Sequence, residues 1–573
     1  MTPKTTQGPD IKNLLLAMAF ATAIMFGWQH FYEGPRQRAL QAREAAEAKT
    51  VASEKQRAIA TQAEHEAEAA ASDATLNAPR IRINTPSLHG SISLVGARLD
   101  DLTLAKYKDT QSDDAPEVKL LARASAKDAY FIELGTLGEA GTTLPTATSE
   151  WKSDDKELTP EHPVTLRWSN GAGLSISRTI AVDKDYLFTV TDRFENHGAA
   201  ALTLYPYGLV SRNYADTSKH TYFMHEGPVG ELKGALEDIT YKDLRNKDAQ
   251  QFNDSRGWLG MTDKYWLTAI IPDQGTSFDA EVKHFTRSGA DAYQTNLRGK
   301  ELALPVGGKA ETITHVFAGA KVVDLLDQYR EQLGIPLFDR AVDFGSLYFL
   351  TRPIFALLNL FYGYVGNFGI AIILLTCCIK ALLYPLAHKS MISMSRMKLL
   401  SPKMEELKKR FGDDKMRLNQ EVMALYKREK VNPVSGCLPI LLQIPVFLAL
   451  YRVLFVTIEM RQAPFYAWIH DLSAADPTNL FTLFGLVHWN PPGFLHLGVL
   501  PIIMCLTMVI QQRLNPKPAD PVQATMMQWM PFVFLFMFAS FPAGLVIYWV
   551  VNNTLSIVQQ AYINTHLKKQ GLK

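Results

Sequence analysis

Lys380 is the residue whose position most needs a chemical account. It sits in the run Gly369-Ile-Ala-Ile-Ile-Leu-Leu-Thr-Cys-Cys-Ile-Lys-Ala-Leu-Leu-Tyr-Pro385, well inside an apolar stretch long enough to cross a bilayer. An ammonium at that depth costs several kcal/mol unless it snorkels to the interface or meets water and polar partners. Thr376 lies one turn earlier on the same helical face, and other apolar stretches contribute Gln443, Gln512, Gln528, Tyr548, Asn552 and Asn553. Together these residues describe a hydrated, polar groove. Arg452, a second cation within an apolar run, lies near the end of its stretch and can snorkel outward. None of the five C-terminal apolar spans delineated below contains Asp or Glu, so Lys380 has no intramembrane carboxylate to pair with. Proton-coupled transport typically needs titratable relays inside the membrane. A cation among uncharged hydrogen-bonding groups suits transient attraction of an anionic or polar peptide segment, which is electrostatic binding and not acid–base catalysis.

Other candidate chemistry is sparse. His220 and His225, near Glu226, lack a third ligand at recognisable spacing and read as surface or structural histidines, so no metal is expected. Neither a GxxxxGK[ST] phosphate loop nor a GxSxG elbow occurs, which excludes an ATP-driven or serine-hydrolase mechanism built on those motifs, and no cofactor is expected. The four cysteines, Cys377, Cys378, Cys437 and Cys505, all fall in apolar runs, so the water-soluble part does not depend on disulfides.

The elements that must position these residues follow from the hydropathy pattern. Across 573 residues the mean hydropathy of -0.05 and net charge of +2 describe an ordinary soluble protein, but the apolar residues concentrate near the N-terminus and in the last third. Residues 14–32 carry no charge and end in Trp28, Phe31 and Tyr32 without a small-x-small cleavage pattern, so residues 1–33 read as a short N-terminus and an uncleaved anchor span. Residues 34–78 form an Ala-, Glu-, Gln-, Lys- and Arg-rich tether. Residues 79–334 alternate β-branched and aromatic residues with polar ones in short segments bounded by Gly, Asp, Asn and Pro, the pattern of a large β-sandwich. Residues 337–366 are aromatic-rich but interrupted by Asp339, Arg340, Asp343 and Arg352-Pro353, and read as an amphipathic segment in the interface. The core, 367–573, holds five spans at 368–387, 436–457, 495–514, 525–541 and 543–563, the last two separated by Ser540-Phe-Pro-Ala-Gly544.

Charge orients them. The loop 389–434 carries twelve Lys/Arg against six Asp/Glu and belongs in the cytoplasm, as does the basic tail 564–573. Six spans with both termini inside satisfy every basic segment. Residues 335–573 hold 22 Lys/Arg and 12 Asp/Glu, a net of +10, leaving -8 for residues 1–334, so the bland total is two opposed halves. Within the cytoplasmic loop, residues 391–411 and 415–429 have helical apolar spacing and are joined by Gly412-Asp413-Asp414, predicting a helical hairpin. Its methionines, among them Met394, Met397 and Met404, form either an adaptable surface for apolar clients or the hairpin's own seam.

These residues resemble a known family. The stretch from Tyr426 through Asn432-Pro-Val-Ser-Gly-Cys-Leu-Pro439 to Tyr451, then Arg461-Gln-Ala-Pro-Phe465, Trp468-Ile-His-Asp-Leu-Ser473 and Phe541-Pro-Ala-Gly-Leu545, closely resembles the YidC family of membrane-protein insertases. The resemblance covers the whole layout and implies a non-enzymatic protein of the bacterial inner membrane: an anchor helix, a large periplasmic β-domain and a five-span α-helical core. Such a protein inserts and helps fold nascent membrane proteins in the lipid bilayer, alone or beside the Sec translocon, without nucleic-acid contact beyond the ribosome. It further implies that Lys380 stands where the family usually has Arg, that Tyr548 and Trp549 are the groove aromatics, and that Thr376, Gln443, Gln512 and Asn552 are groove polar positions. The hairpin, with Met394, Met397, Met404, Asp413 and Asp414, would receive clients or ribosomes. The stretch 479–498 is longer than the family pattern leads one to expect. A transporter, or a receptor whose β-domain binds a soluble ligand such as a carbohydrate, is the alternative.

Overall fold

The computed structural model describes residues 78–139, 141–214, 224–247, 249–287, 289–412, 414–429, 438–485, 487, 489, 497–514 and 521–569. The expected anchor at 14–32, the tether, His220, Asp413, Cys437 and Asn490-Pro-Pro-Gly493 lie outside these residues. The chain forms two compact units. One extends to Gly345 and takes in Val456–Glu459, and the other comprises Ser346–Phe455 and Met460 onward.

The first unit is built from an 11-stranded and an 8-stranded sheet. In the larger sheet, Leu202–Asn213 lies antiparallel between Tyr130–Gly138 and Ala290–Gly299. In the smaller, Leu187–Asn196 lies between Leu174–Val182 and Lys309–Ala320. Strict alternation along Leu174–Val182 turns Leu174, Ile176, Arg178, Ile180 and Val182 inward. Arg178 thus occupies a core position, and its cross-strand partner is Asp192. The guanidinium makes two parallel bonds to that carboxylate, at 2.7 and 2.8 Å, and a third to the Leu134 carbonyl at 2.7 Å. Arg98 and Glu133 form a second buried pair at 2.7 Å, with the Tyr207 hydroxyl donating to the other carboxylate oxygen at 2.9 Å. Removing one member of a buried pair strands the other charge and costs about 3–5 kcal/mol, whereas replacing both by apolar groups is often neutral. Asp192→Leu is therefore expected to lower the denaturant stability of this unit by about that amount. Arg178→Met in the same chain should recover most of the loss, as read by Trp fluorescence during urea unfolding.

Lys321 is also enclosed, 2% exposed, with its ammonium donating to the Thr262 hydroxyl at 2.9 Å. Burial pulls its pKa down to about 8, against the opposing pull of Asp263, Asp343, Glu226 and Asp238. Above that value the native lysine has shed a proton that the unfolded chain keeps until about pH 10.4. Stability must then rise with pH between about 8 and 10, by about 2–3 kcal/mol, while below pH 8 the cost of burying the charge is present in full. Lys321→Met should flatten that rise in urea melts recorded at pH 7.5 and 9.5.

Two helices complete this unit, α1 (Tyr241–Asn246) and α2 (Val323–Leu333). The unit runs further along the chain than the alternation of strands suggested. Trp258 donates from its indole nitrogen to the Pro336 carbonyl at 3.1 Å, and Phe338 packs edge-on against Trp258 and Phe317. Residues 335–345 therefore belong to the β-unit, and of the stretch 337–366, expected to lie in the interface, Tyr348–Val365 forms helix α3. Its buried residues, Thr351, Ile354, Phe355 and Leu358, recur at helical spacing on one face, and Phe349, Leu360 and Tyr364 are exposed on the rest.

The second unit continues with α4 (Phe368–Leu399), α5 (Ser401–Phe411), α6 (Lys415–Arg428), α7 (Leu438–Val456), α8 (Val499–Leu514), α9 (Pro521–Phe538) and α10 (Ala543–Lys569). Among the described residues Phe368–Met397 is long and apolar enough to cross a membrane, and Gln443–Val456, Val499–Leu514 and Ala524–Phe538 are shorter apolar helices. The expected turn near Ser540 separates α9 from α10. The end of α4 differs from expectation. It passes through Pro385 and stops only at Leu399, so residues 391–399 extend this helix instead of starting the hairpin. Side chains hold the extension: Gln560 donates to the Ser395 hydroxyl at 2.8 Å, Ser395 donates to Asn564 at 2.7 Å, and Met391 packs on Ile563.

The segment after Met460 ties three helices together. Gly369 leaves room for the Phe465 ring, whose nearest atom would be 1.9 Å from an added Cβ. The Leu472 and Ala474 carbonyls accept from the Gly544 and Ala543 amides at the start of α10, at 3.0 and 2.7 Å. Asp476 accepts from the Leu500 amide at 2.7 Å, while the Thr478 hydroxyl accepts from Val499 at 2.9 Å, so this segment supplies the cap that α8 lacks locally.

Candidate functional site

Lys380 lies where α4 packs against α10. Its ammonium donates to the Ser556 hydroxyl at 2.8 Å, and that hydroxyl in turn donates to the Asn552 carbonyl one turn earlier, also at 2.8 Å. Ser556 is 4% exposed and neutral, so it holds the cation in place without neutralising it. Beside the ammonium is an open cavity of about 370 Å³, lined by Cys377, Lys380 and Tyr384 from α4 and by Leu555, Gln559 and Tyr562 from α10. The Gln559 amide nitrogen is buried without a hydrogen-bond partner. Tyr384 stacks on His388 and Tyr562 on His566, each four residues further along its helix.

The other polar residues singled out in the sequence are not on this wall. Thr376 is 1% exposed and its hydroxyl donates to the Ile372 carbonyl at 2.7 Å, so it is satisfied within its own helix. Gln443 donates to the Tyr548 hydroxyl, joining α7 to α10, and Tyr548 is itself 1% exposed. Trp549 packs against Phe447 and Phe538 with ring centres 5.0 and 5.3 Å away. Gln512 donates to the Met527 carbonyl at 2.5 Å, Asn553 donates to Thr507 at 3.2 Å, and Asn552 is buried. These groups stitch α7, α8, α9 and α10 together. Ser556, Gln559, Tyr384 and Tyr562 took their place beside the cation. The signal for two of them was present in the sequence: Asn552, Ser556 and Gln559 repeat at four and three residues along one flank of an apolar helix.

Between the end of α4, α5 and α6, Leu400, Val422 and Tyr426 form a small core onto which Met397, Met404 and Met423 pack. The Tyr426 hydroxyl meets the Met404 sulfur at 3.1 Å, and Lys403 pairs with Glu429 at 2.7 Å. Met397 and Met404 are thus seam residues, Met394 is half-buried, and Met416 is 74% exposed. Asp414 caps α6, accepting from the Arg417 amide at 3.0 Å. His225 is tied into the β-unit: its amide donates to Asp343 at 3.1 Å, and its Nε2 lies 2.9 Å from the Pro228 carbonyl.

A two-sheet unit followed by apolar helices, with one cation held in a polar recess between two of them, defines a membrane protein with a β-rich domain and a helical core. Residues 360–570 match the 60Kd inner membrane protein family, and residues 80–357 match the YidC periplasmic domain. The membrane protein insertase YidC of Rickettsia bellii (strain OSU 85-389) is 47% identical over 557 residues, 97% of this chain and 99% of the relative. That of Rickettsia canadensis (strain McKiel) is 47% identical over 558 residues, with the same shares covered. Among solved structures, an active YidC insertase with its first transmembrane domain resolved is similar over 84% of this chain and 92% of that one, at 19% identity and a TM-score of 0.34. The chain belongs to the YidC family of membrane protein insertases, proteins of the inner membrane whose substrates are nascent membrane proteins.

Proposed function

We propose that insertion runs through the recess at Lys380. The observation that carries this reading is a cation in an open cavity, hydrogen-bonded to a neutral hydroxyl and with no carboxylate on the cavity wall among the described residues. The uncompensated charge holds a short polar or acidic tail of the client while hydrophobic partitioning of the client's own span into lipid completes the transfer. The charge distribution supports a topology with the β-domain in the periplasm, with both termini and the basic stretch 389–434 in the cytoplasm, and with six spans in all. That basic stretch receives ribosomes carrying nascent clients, and Met394 and the exposed Met416 are its apolar contacts. The protein works alone or beside the Sec translocon. Photoreactive residues at 377 and 562, which line the cavity, should crosslink to arrested nascent membrane proteins, whereas residues 376 and 548, buried at helix contacts, should crosslink weakly. Crosslinks confined to 376 and 548 would place the client path elsewhere.

A further inference from the structure

We propose that, when no client is engaged, the cavity at Lys380 holds the phosphate of an anionic phospholipid headgroup, which the client must displace. The polar groups on its wall are suited to an anion. An ammonium has three donors, of which Ser556 takes one, and the Gln559 side chain lines the same wall, its amide nitrogen buried behind the surface without a partner. The aromatic walls are tyrosines, each with a hydroxyl at the tip, and no carboxylate lines the cavity among the described residues.

The surroundings favour an amphiphile over a soluble ion. Val558 is 62% exposed and Tyr562 65%, and both line the cavity, so its rim carries side chains turned outward, a surface acyl chains would cover. A space of about 370 Å³ takes a phosphate with its polar alcohol substituent but not the chains, which must remain on that outer face. From Lys380 the stacked pairs Tyr384–His388 and Tyr562–His566 lead along both helices toward Lys389 and Lys568. Along α4 this ramp is about 12 Å long. Its aromatic rings with polar edges are the groups that hold headgroups at a membrane surface. A client carboxylate seated at the ammonium cannot share that place with a lipid phosphate, so client and lipid compete for one cation.

The test uses the full-length chain in detergent micelles containing equal amounts of phosphatidylglycerol and phosphatidylcholine, with retained lipid read by native mass spectrometry. Wild type and Lys380→Arg should keep one phosphatidylglycerol in preference to phosphatidylcholine, and Lys380→Gln should lose about tenfold in retention. Val558→Trp, which adds bulk at the cavity rim and leaves the cation untouched, should lose the lipid as well and serves if Lys380→Gln does not remain monodisperse. Inorganic phosphate should not displace the lipid. Equal retention by wild type and Val558→Trp, retention of the two lipids without preference, or displacement by phosphate alone would each overturn the proposal, the last by assigning a soluble-anion site. The inference shares Lys380 with the insertion reading, and crosslinking from residue 377 in the same preparations separates them. Loss of lipid selectivity with client crosslinks intact sinks only the lipid site, and retained lipid without client crosslinks sinks only the client path.

Discussion

Lys380→Ala should reduce insertion of clients with acidic translocated tails by about 10- to 100-fold, the equivalent of one charge-assisted hydrogen bond worth about 1.5–3 kcal/mol. Lys380→Arg should restore it, because the guanidinium keeps the charge and adds a fork that grips carboxylates more firmly. Clients whose translocated tails are short and uncharged should be less affected, since for them partitioning of the apolar span supplies most of the driving force. The measurement is protease protection of the translocated tail in vesicles carrying each variant, at matched protein levels. Equal insertion by all three versions would remove Lys380 from the mechanism. Ser556→Ala is the companion measurement. It leaves the cation in place but frees it from its neutral partner, so client selectivity by tail charge should persist while efficiency falls by less than in Lys380→Ala.

Lys380 was legible from sequence because a charge inside an apolar run has few bland explanations. Ser556 stood in a legible polar row, but its pairing with Lys380 was not legible, since a hydroxyl in an apolar helix ordinarily bonds back to the carbonyl four residues earlier, and only a neighbouring helix reveals that it also accepts. Ser556 does both, whereas Thr376, the residue the spacing favoured, does only the first. The same limit explains why Gln443, Gln512, Asn553 and Tyr548 read as one groove. Composition shows which spans carry polar groups, but which span each group faces depends on helix rotation and neighbour order. Periodicity identified the β-rich unit and the turn near Ser540 well. It failed at the two junctions where tertiary contacts override local signals: at Phe338, drawn into the β-unit by Trp258 and Phe317, and beyond Pro385, where Ser395 and Met391 hold α4 against α10.

Asp476→Ala should impair folding more than substitution at any of the stitching amides. The carboxylate is 1% exposed and accepts from the Thr478 amide at 2.9 Å, the Thr478 hydroxyl at 2.6 Å and the Leu500 amide at 2.7 Å. Truncation leaves the Leu500 amide in the first turn of α8 and both Thr478 donors without this acceptor, and each such donor costs about 1–3 kcal/mol where it is shut off from water. Because Thr478 also caps Val499, losing its anchor loosens a second amide of the same turn. Leu472 and Ala474, a few residues earlier, hold the start of α10, so disorder in this segment also weakens the seat of the helix that carries Ser556 and Gln559. The expected outcome is a loss of about 2–5 kcal/mol, seen as a lower melting temperature in detergent and reduced steady-state levels in membranes. Asp476→Asn keeps one acceptor oxygen and should retain part of the stability. Gly498 offers an independent check: a Cβ there would sit 2.6 Å from the Asp476 carboxyl carbon, so Gly498→Ala should push the carboxylate off its donors and produce a similar, smaller loss with Asp476 still present. If Asp476→Ala melts like wild type, the cap on α8 must come from elsewhere, and the coupling of this segment to the Lys380 recess fails with it.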